Sequence, residues 1–185
     1  MFIQTELTPN PATLKFLPGQ TVLERGALEF RSRESAARSP LAEALLSLPG
    51  VKSVLFGQDF VSVTKGDPEW AHLKPAVLGV IMEHFSSRAP LFVGETAAEG
   101  VEGEFFDPDD AEKVATIKEI IETRVRPAVA NDGGDIVFRG FRDGVVYLKM
   151  KGACSGCPSS AATLRHGVEN LLRHFLPDVR GIEQI

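Results

Sequence analysis

Apolar residues recur along this chain with two different periods, and the switches between them mark out its elements. Phe2 to Thr8 and Thr13 to Leu17 predict two short strands, joined through the turn signal Pro9-Asn10-Pro11. Leu41, Leu45, Leu46 and Leu48 fall at helical spacing. Ser39 stands where an N-cap belongs, Pro40 at the first helical position and Glu43 near the first turn, and Pro49-Gly50 closes the helix. Val51 to Phe56 and Phe60 to Thr64 flank Gly57-Gln58-Asp59 and predict a hairpin. Asp67-Pro68 then opens a helix with Trp70, Leu73, Val77, Val80, Ile81 and Phe85 on one side, with Pro75 placed to kink or split it.

The second half begins with another Asp-Pro start at Asp107-Pro108. Val114, Ile117, Ile120, Ile121 and Val125 follow at helical spacing, and Pro127 with Asn131-Asp132-Gly133-Gly134-Asp135 is expected to end that helix. Ile136 to Phe141 and Val145 to Lys151 read as strands around the turn Arg142-Asp143-Gly144. A helix carrying Ala161, Leu164, Val168, Leu171, Leu172 and Phe175 follows, then a short strand over Val179 to Ile185.

Between the halves the pattern lapses. No basic residue occurs between Arg88 and Lys113, while Glu95, Glu99, Glu102, Glu104, Asp107, Asp109, Asp110 and Glu112 do, interspersed with glycines. Such sequence buries too little apolar surface to order itself and reads as a linker. The expectation is an α+β or α/β fold class in two small domains. Each is a short mixed or antiparallel sheet packed by two helices. The domains cover residues 1–92 and 107–185, with an acidic linker at 93–106.

Composition narrows the function. Of 185 residues, 43% are hydrophobic and 24% charged, ordinary values for a globular protein. The net charge of −5 disfavours a nucleic-acid partner. No apolar run approaches the roughly 18–20 residues of a membrane span. Met1-Phe2-Ile3-Gln4-Thr5-Glu6 has neither a basic, apolar signal pattern nor an Arg/Ser-rich transit pattern. The expected location is therefore the cytoplasm, for a sequence that has not been processed.

The chain has only two cysteines, Cys154 and Cys157, in Gly152-Ala153-Cys154-Ser155-Gly156-Cys157-Pro158. In a reducing compartment a CxxC pair reads as metal or redox chemistry. Pro158 fits the first position of the following helix, which sets Cys157 at or near its N-cap. The unpaired N–H groups and dipole of that terminus, with Lys149 and Lys151 upstream, predict lowered pKa values for both thiols. A two-residue gap lets both sulfurs face one metal centre.

One copy supplies only two thiolates. His166 lies nine residues beyond Cys157 on the same helix, roughly 13 Å away, and His174 is farther. His72 and His84 read as ordinary surface or half-buried histidines. Asp132 and Asp135 belong first to a turn. A single-chain zinc site is thus poorly supported. A thioredoxin-type fold needs substantial β structure after its CxxC, and only 28 residues follow Cys157. The surrounding residues are too small and polar for packing to be the pair's purpose. Two chains each donating Cys154 and Cys157 would give four thiolates, the complement of a 4Fe–4S cluster, on a two-fold axis. A dithiol–disulfide oxidoreductase stays open as the alternative.

Arg126-Pro127, Asp132-Gly133-Gly134-Asp135-Ile136, the segment Gly152 to Ser160 and Thr163-Leu164 resemble the C-terminal domain of NifU, shared by Nfu-type iron–sulfur scaffold or carrier proteins. Thr8-Pro9-Asn10-Pro11, Phe16-Leu17-Pro18-Gly19, Ser39-Pro40-Leu41-Ala42 and Gly57 to Lys65 resemble the Nfu N-terminal domain. The resemblance implies a non-enzymatic carrier. Cys154 and Cys157 would be its metal and cluster ligands. A homodimer would hold the 4Fe–4S cluster, and upstream assembly factors and apo iron–sulfur client proteins would be its partners. Nitrogenase-type NifU has further cysteine-rich domains that this chain lacks, which implies an intermediate carrier, and the N-terminus implies the bacterial form.

Overall fold

The computed structural model describes residues 1–94, 103–155 and 158–185, those at 158–160 by backbone alone. It has two sheets, one in each half of the chain, as the alternation of strand and helix patterns predicts.

The first sheet is antiparallel. Its strands β1 (Gln4–Leu7), β2 (Thr13–Leu17), β3 (Leu28–Phe30), β4 (Val51–Phe56) and β5 (Val61–Lys65) run in the order β1-β2-β5-β4-β3. Helices α1 (Arg33–Ala36), α2 (Pro40–Ser47) and α3 (Trp70–Ser86) belong to the same half. Ser39 caps α2 by accepting from the N–H of Ala42, with Pro40 in the first turn. Phe16, Val54, Phe56, Val61 and Val63 from the sheet meet Leu41 and Leu45 of α2 and Leu73, Val77 and Ile81 of α3 in one core. The expected helix side is the buried one, and α3 continues through Pro75 without being split. Strand β3 and helix α1 lie in a stretch where the apolar pattern predicted nothing.

The second sheet is mixed: β6 (Phe105–Phe106), β7 (Gly134–Arg142), β8 (Val145–Gly152) and β9 (Gly181–Gln184), in that order. The β7–β8 pair is antiparallel, while β6 and β9 pair parallel at the two edges. Asp143 and Gly144 turn the hairpin, both at positive φ (53° and 78°), the geometry that suits a two-residue loop between right-twisted strands. Residues 95–102 of the expected linker lie outside the described residues, and Phe105 and Phe106 from its far end form β6.

Gly140 sits at a bulge of β7, and a Cβ there would overlap the Phe105 ring. The Gly140→Ala chain is therefore expected to lose about 1–3 kcal/mol of stability through overpacking, read as a lowered denaturant midpoint.

The helical run that starts with α4 (Ala111–Ile120) is not broken at Pro127 and ends at Asn131, the second part of the expected stop. It passes through a wider π-type turn, Ile121–Val125, into α5 (Arg126–Asn131). Pro127 falls in the first turn of α5, directly after the π-type turn. Helix α6 (Pro158–Phe175) starts at the expected proline. Ile136, Phe138, Val146 and Leu148 of the sheet pack with Ile117, Ile121 and Val125, and with Val168 and Leu172 of α6. Among the described residues no helix is long and apolar enough to cross a membrane.

Candidate functional site

The β7–β8 register sets the geometry of the site. Gly134 pairs with Gly152 and Asp135 with Lys151, so the Asp-Gly-Gly turn and the cysteine loop leave the same end of one hairpin. The loop is tied to that turn by the Ala153 N–H, which donates to the Gly133 carbonyl at 3.3 Å. It is closed on itself by Ser155, whose N–H and hydroxyl both donate to the Gly152 carbonyl, at 3.1 and 2.9 Å. Glycine is required at both strand ends. A Cβ on Gly134 would stand 2.7 Å from the Cys154 sulfur. Gly152 has a φ of +66°, and a Cβ on it would come 2.7 Å from the Gly133 carbonyl oxygen.

Cys154 is a free thiol, only 7% exposed, packed into the edge of the second core. It borders an apolar cavity of about 540 Å³. Val125, Ala128, Leu164, Val168 and Leu171 supply most of the apolar wall, Asp132 and Arg124 a polar margin, and Pro9 of the first domain one side. Cys157 lies outside the described residues.

The expectation of a lowered Cys154 pKa is corrected. Burial pushes the thiol up to about 12, and the carboxylates of Asp132 and Asp135 push the same way. Desolvation penalises the thiolate, and the charges that act on it are these carboxylates and not the upstream lysines. The raised value stabilises the folded chain below the ordinary thiol pKa of 9.0, and that contribution is lost as pH rises from there toward 12. In a Cys157→Ser background, alkylation of Cys154 should keep accelerating with pH beyond 9 without a plateau at the ordinary thiol value. A plateau near pH 9 in stopped-flow maleimide or iodoacetamide kinetics would show that the thiol is not desolvated.

The acidic residues of the turn separate in role. Asp135 is buried and held by a two-pronged ion pair with Arg126, whose Nε donates to Oδ1 at 2.8 Å and Nη2 to Oδ2 at 3.0 Å. Arg126 Nη1 also meets Glu122 at 2.6 Å. Burial works against the guanidinium charge, but Asp135 and Glu122 outweigh it and hold the pKa above the usual range. Asp132 instead borders the thiol cavity.

The histidines lie apart from the loop. His72, His166 and His174 are exposed, and His84 is buried on α3 against Phe85, where burial lowers its pKa. Among the described residues no three His, Cys, Asp or Glu side chains converge on a point that could hold a metal ion.

Three side chains at this site were not legible in the sequence. Glu29 accepts from the Gly152 N–H at 3.0 Å, Ser62 donates to the Gly133 carbonyl at 2.8 Å, and Lys15 reaches the Asn131 carbonyl at 3.4 Å. All three come from the first domain. The one signal for them is a polar residue between apolar ones on a strand, which alternation alone assigns to solvent.

Comparison with known proteins agrees with this architecture. Residues 3–88 match the family model described as scaffold protein Nfu/NifU N terminal, and residues 117–183 the NifU-like domain. The human NFU1 iron-sulfur cluster scaffold homolog, mitochondrial, is 49% identical over all of this chain and 72% of its own length. The Arabidopsis thaliana NifU-like protein 4, mitochondrial, is 50% identical over all of this chain and 66% of its own. A solved NifU-like protein from Saccharomyces cerevisiae aligns with a TM-score of 0.46 at 26% identity, over 51% of this chain and 87% of that one. The mitochondrial relatives overturn the expectation of a bacterial-type cytoplasmic protein. They extend beyond the matched stretch, so the residues at the start of this chain are no guide to compartment.

Proposed function

We propose, on the premise that this chain belongs to the Nfu-type, NifU-like family of iron–sulfur cluster scaffold proteins, that it carries a 4Fe–4S cluster between two copies and passes it to apo-proteins. Cys154 and Cys157 of each copy are the four ligands, so the cluster-bound form is a homodimer. The observation that carries this reading is the placing of Cys154. It lies on a glycine-flanked loop at the edge of an apolar cavity, and among the described residues no other ligand set gathers around it.

The chemistry suits cargo. A thiol held neutral while empty is protected from oxidation, and iron displaces its proton on binding. Glycine on both sides of the loop lets backbone approach bridging sulfides. A dithiol oxidoreductase needs the opposite, a thiol with a depressed pKa, and Cys154 does not favour it. The chain acts here as a binding protein. Its partners are the factors that load it and the clients that accept the cluster.

Anaerobic reconstitution with iron and sulfide tests the reading. The expected product is a brown dimer with about one 4Fe–4S cluster per two chains, able to activate an apo-enzyme such as aconitase. A colourless monomer after reconstitution would overturn it.

A further inference from the structure

The face of the first sheet turned away from its own core carries one continuous row of residues. Across the strands, Glu6 pairs with Lys15, Lys15 with Ser62, Ser62 with Leu55, and Leu55 with Glu29. Directly paired residues share a face, so these five form a rung across β1, β2, β5, β4 and β3. Their chain neighbours Phe16, Val61, Val54 and Phe56 point the other way, into the first core.

A row of this composition on an outer face ought to be wet. Instead Lys15, Ser62 and Leu55 are 6%, 1% and 1% exposed, and the Glu29 side chain 7%. Leu55 belongs to neither hydrophobic core. What covers the row is the base of the cysteine loop. Leu55 would be met at 2.7 Å by a Cβ on Gly152, and Ser62 at 2.9 Å by one on Gly133, so glycine is what lets the two surfaces touch. The polar members find backbone partners around the base of the loop: the Gly152 N–H at the end of β8, the Gly133 carbonyl in the turn before β7 and the Asn131 carbonyl at the end of α5. Beyond the row, Pro9 of the first domain forms a side of the cavity that Cys154 borders.

We propose that this row is a clamp. It docks the first domain on the base of the cysteine loop, keeps Cys154 turned inward, and must release before the loop takes up or gives away a cluster. Docking within the chain and pairing with a second copy then compete for the same loop. The purpose assigned to the clamp rests on the carrier reading above, but its existence can be tested on the cluster-free chain.

The experiment is cysteine alkylation of the full chain in a Cys157→Ser background, with and without Glu29→Ala and Ser62→Ala together. Removing one charged and one neutral hydrogen bond is expected to raise the Cys154 alkylation rate at least about tenfold. Initial cluster uptake should accelerate in the same pair of substitutions with both cysteines present. Either rate staying at its wild-type value in folded variants overturns the clamp. Hydrogen exchange in the cluster-free wild-type chain is independent of any variant's folding. The Gly152 amide should be protected at least about tenfold relative to an open loop, and exchange at the open-loop rate overturns the proposal. A wild-type chain that takes up no cluster counts against the carrier reading alone, since alkylation and exchange still report on the clamp.

Discussion

The Cys154→Ser chain, reconstituted anaerobically, retains less than about a tenth of the iron and acid-labile sulfide held by the wild type. The expected loss is near-total if the site is two-fold as proposed, because a single substitution in the gene would then remove two of the four thiolates. Serine does not replace them at neutral pH, since its hydroxyl is far harder to ionise than a thiol and oxygen is a poorer ligand for iron–sulfur clusters. Cys157→Ser should match it, and the dimer seen by light scattering should disappear with the visible absorbance in both. Cys154→Ser buries a hydroxyl in an apolar place and should cost about 1–3 kcal/mol, so circular dichroism is used to check that the variant is folded before its cluster content is compared. A Cys154→Ser chain that still carried a full cluster would remove this residue from the ligand set.

The second large effect falls on stability. Arg126→Ala leaves the Asp135 carboxylate, 6% exposed, without the partner that grips both of its oxygens. Breaking a buried ion pair from one side costs about 3–5 kcal/mol, since the remaining charge stays desolvated. Arg126 is partly exposed, 22% at its side chain, so the lower end of that range applies and water reaches part of the vacated site. For a domain of this size the melting temperature should fall by about 10–20 °C. Adding Asp135→Asn should recover part of the loss, because it removes the stranded charge and keeps an acceptor. A melting curve of Arg126→Ala that overlays the wild type would show that the pair does not hold the turn. The pair bears on the proposed function because Asp135 is the second residue of β7, beside the cysteine loop, and a loosened turn loosens the loop tied to it through the Gly133 carbonyl.

Much of the fold was legible because its signals are local. Ser39-Pro40 starts a helix wherever it stands before an apolar period, and Asp143-Gly144 turns a hairpin because both residues accept positive φ. Pro127 misled for an equally local reason. The rule that proline ends a helix assumes regular i to i+4 bonding, and the π-type turn ahead of it restarts the helix. Strand β3 and α1 were missed because three and four residues are too few to show a period. The cysteine pair was found by counting, and the loop's place between β8 and α6 followed from the flanking patterns.

What the sequence by itself determined is most of the elements, the two-domain family pattern and the isolated cysteine pair. Those depend on residue type and near-neighbour spacing. Only the tertiary structure decided the state of the site. The Cys154 pKa rises because the thiol is buried, with Asp132 and Asp135 pushing the same way, and burial is a property of what packs above the loop. Lys15, Ser62, Leu55 and Glu29 form one row because antiparallel pairing aligns four strands. Strand alternation says which residues share a face, but what covers that face is chosen by residues that lie 71 to 123 positions farther along the chain.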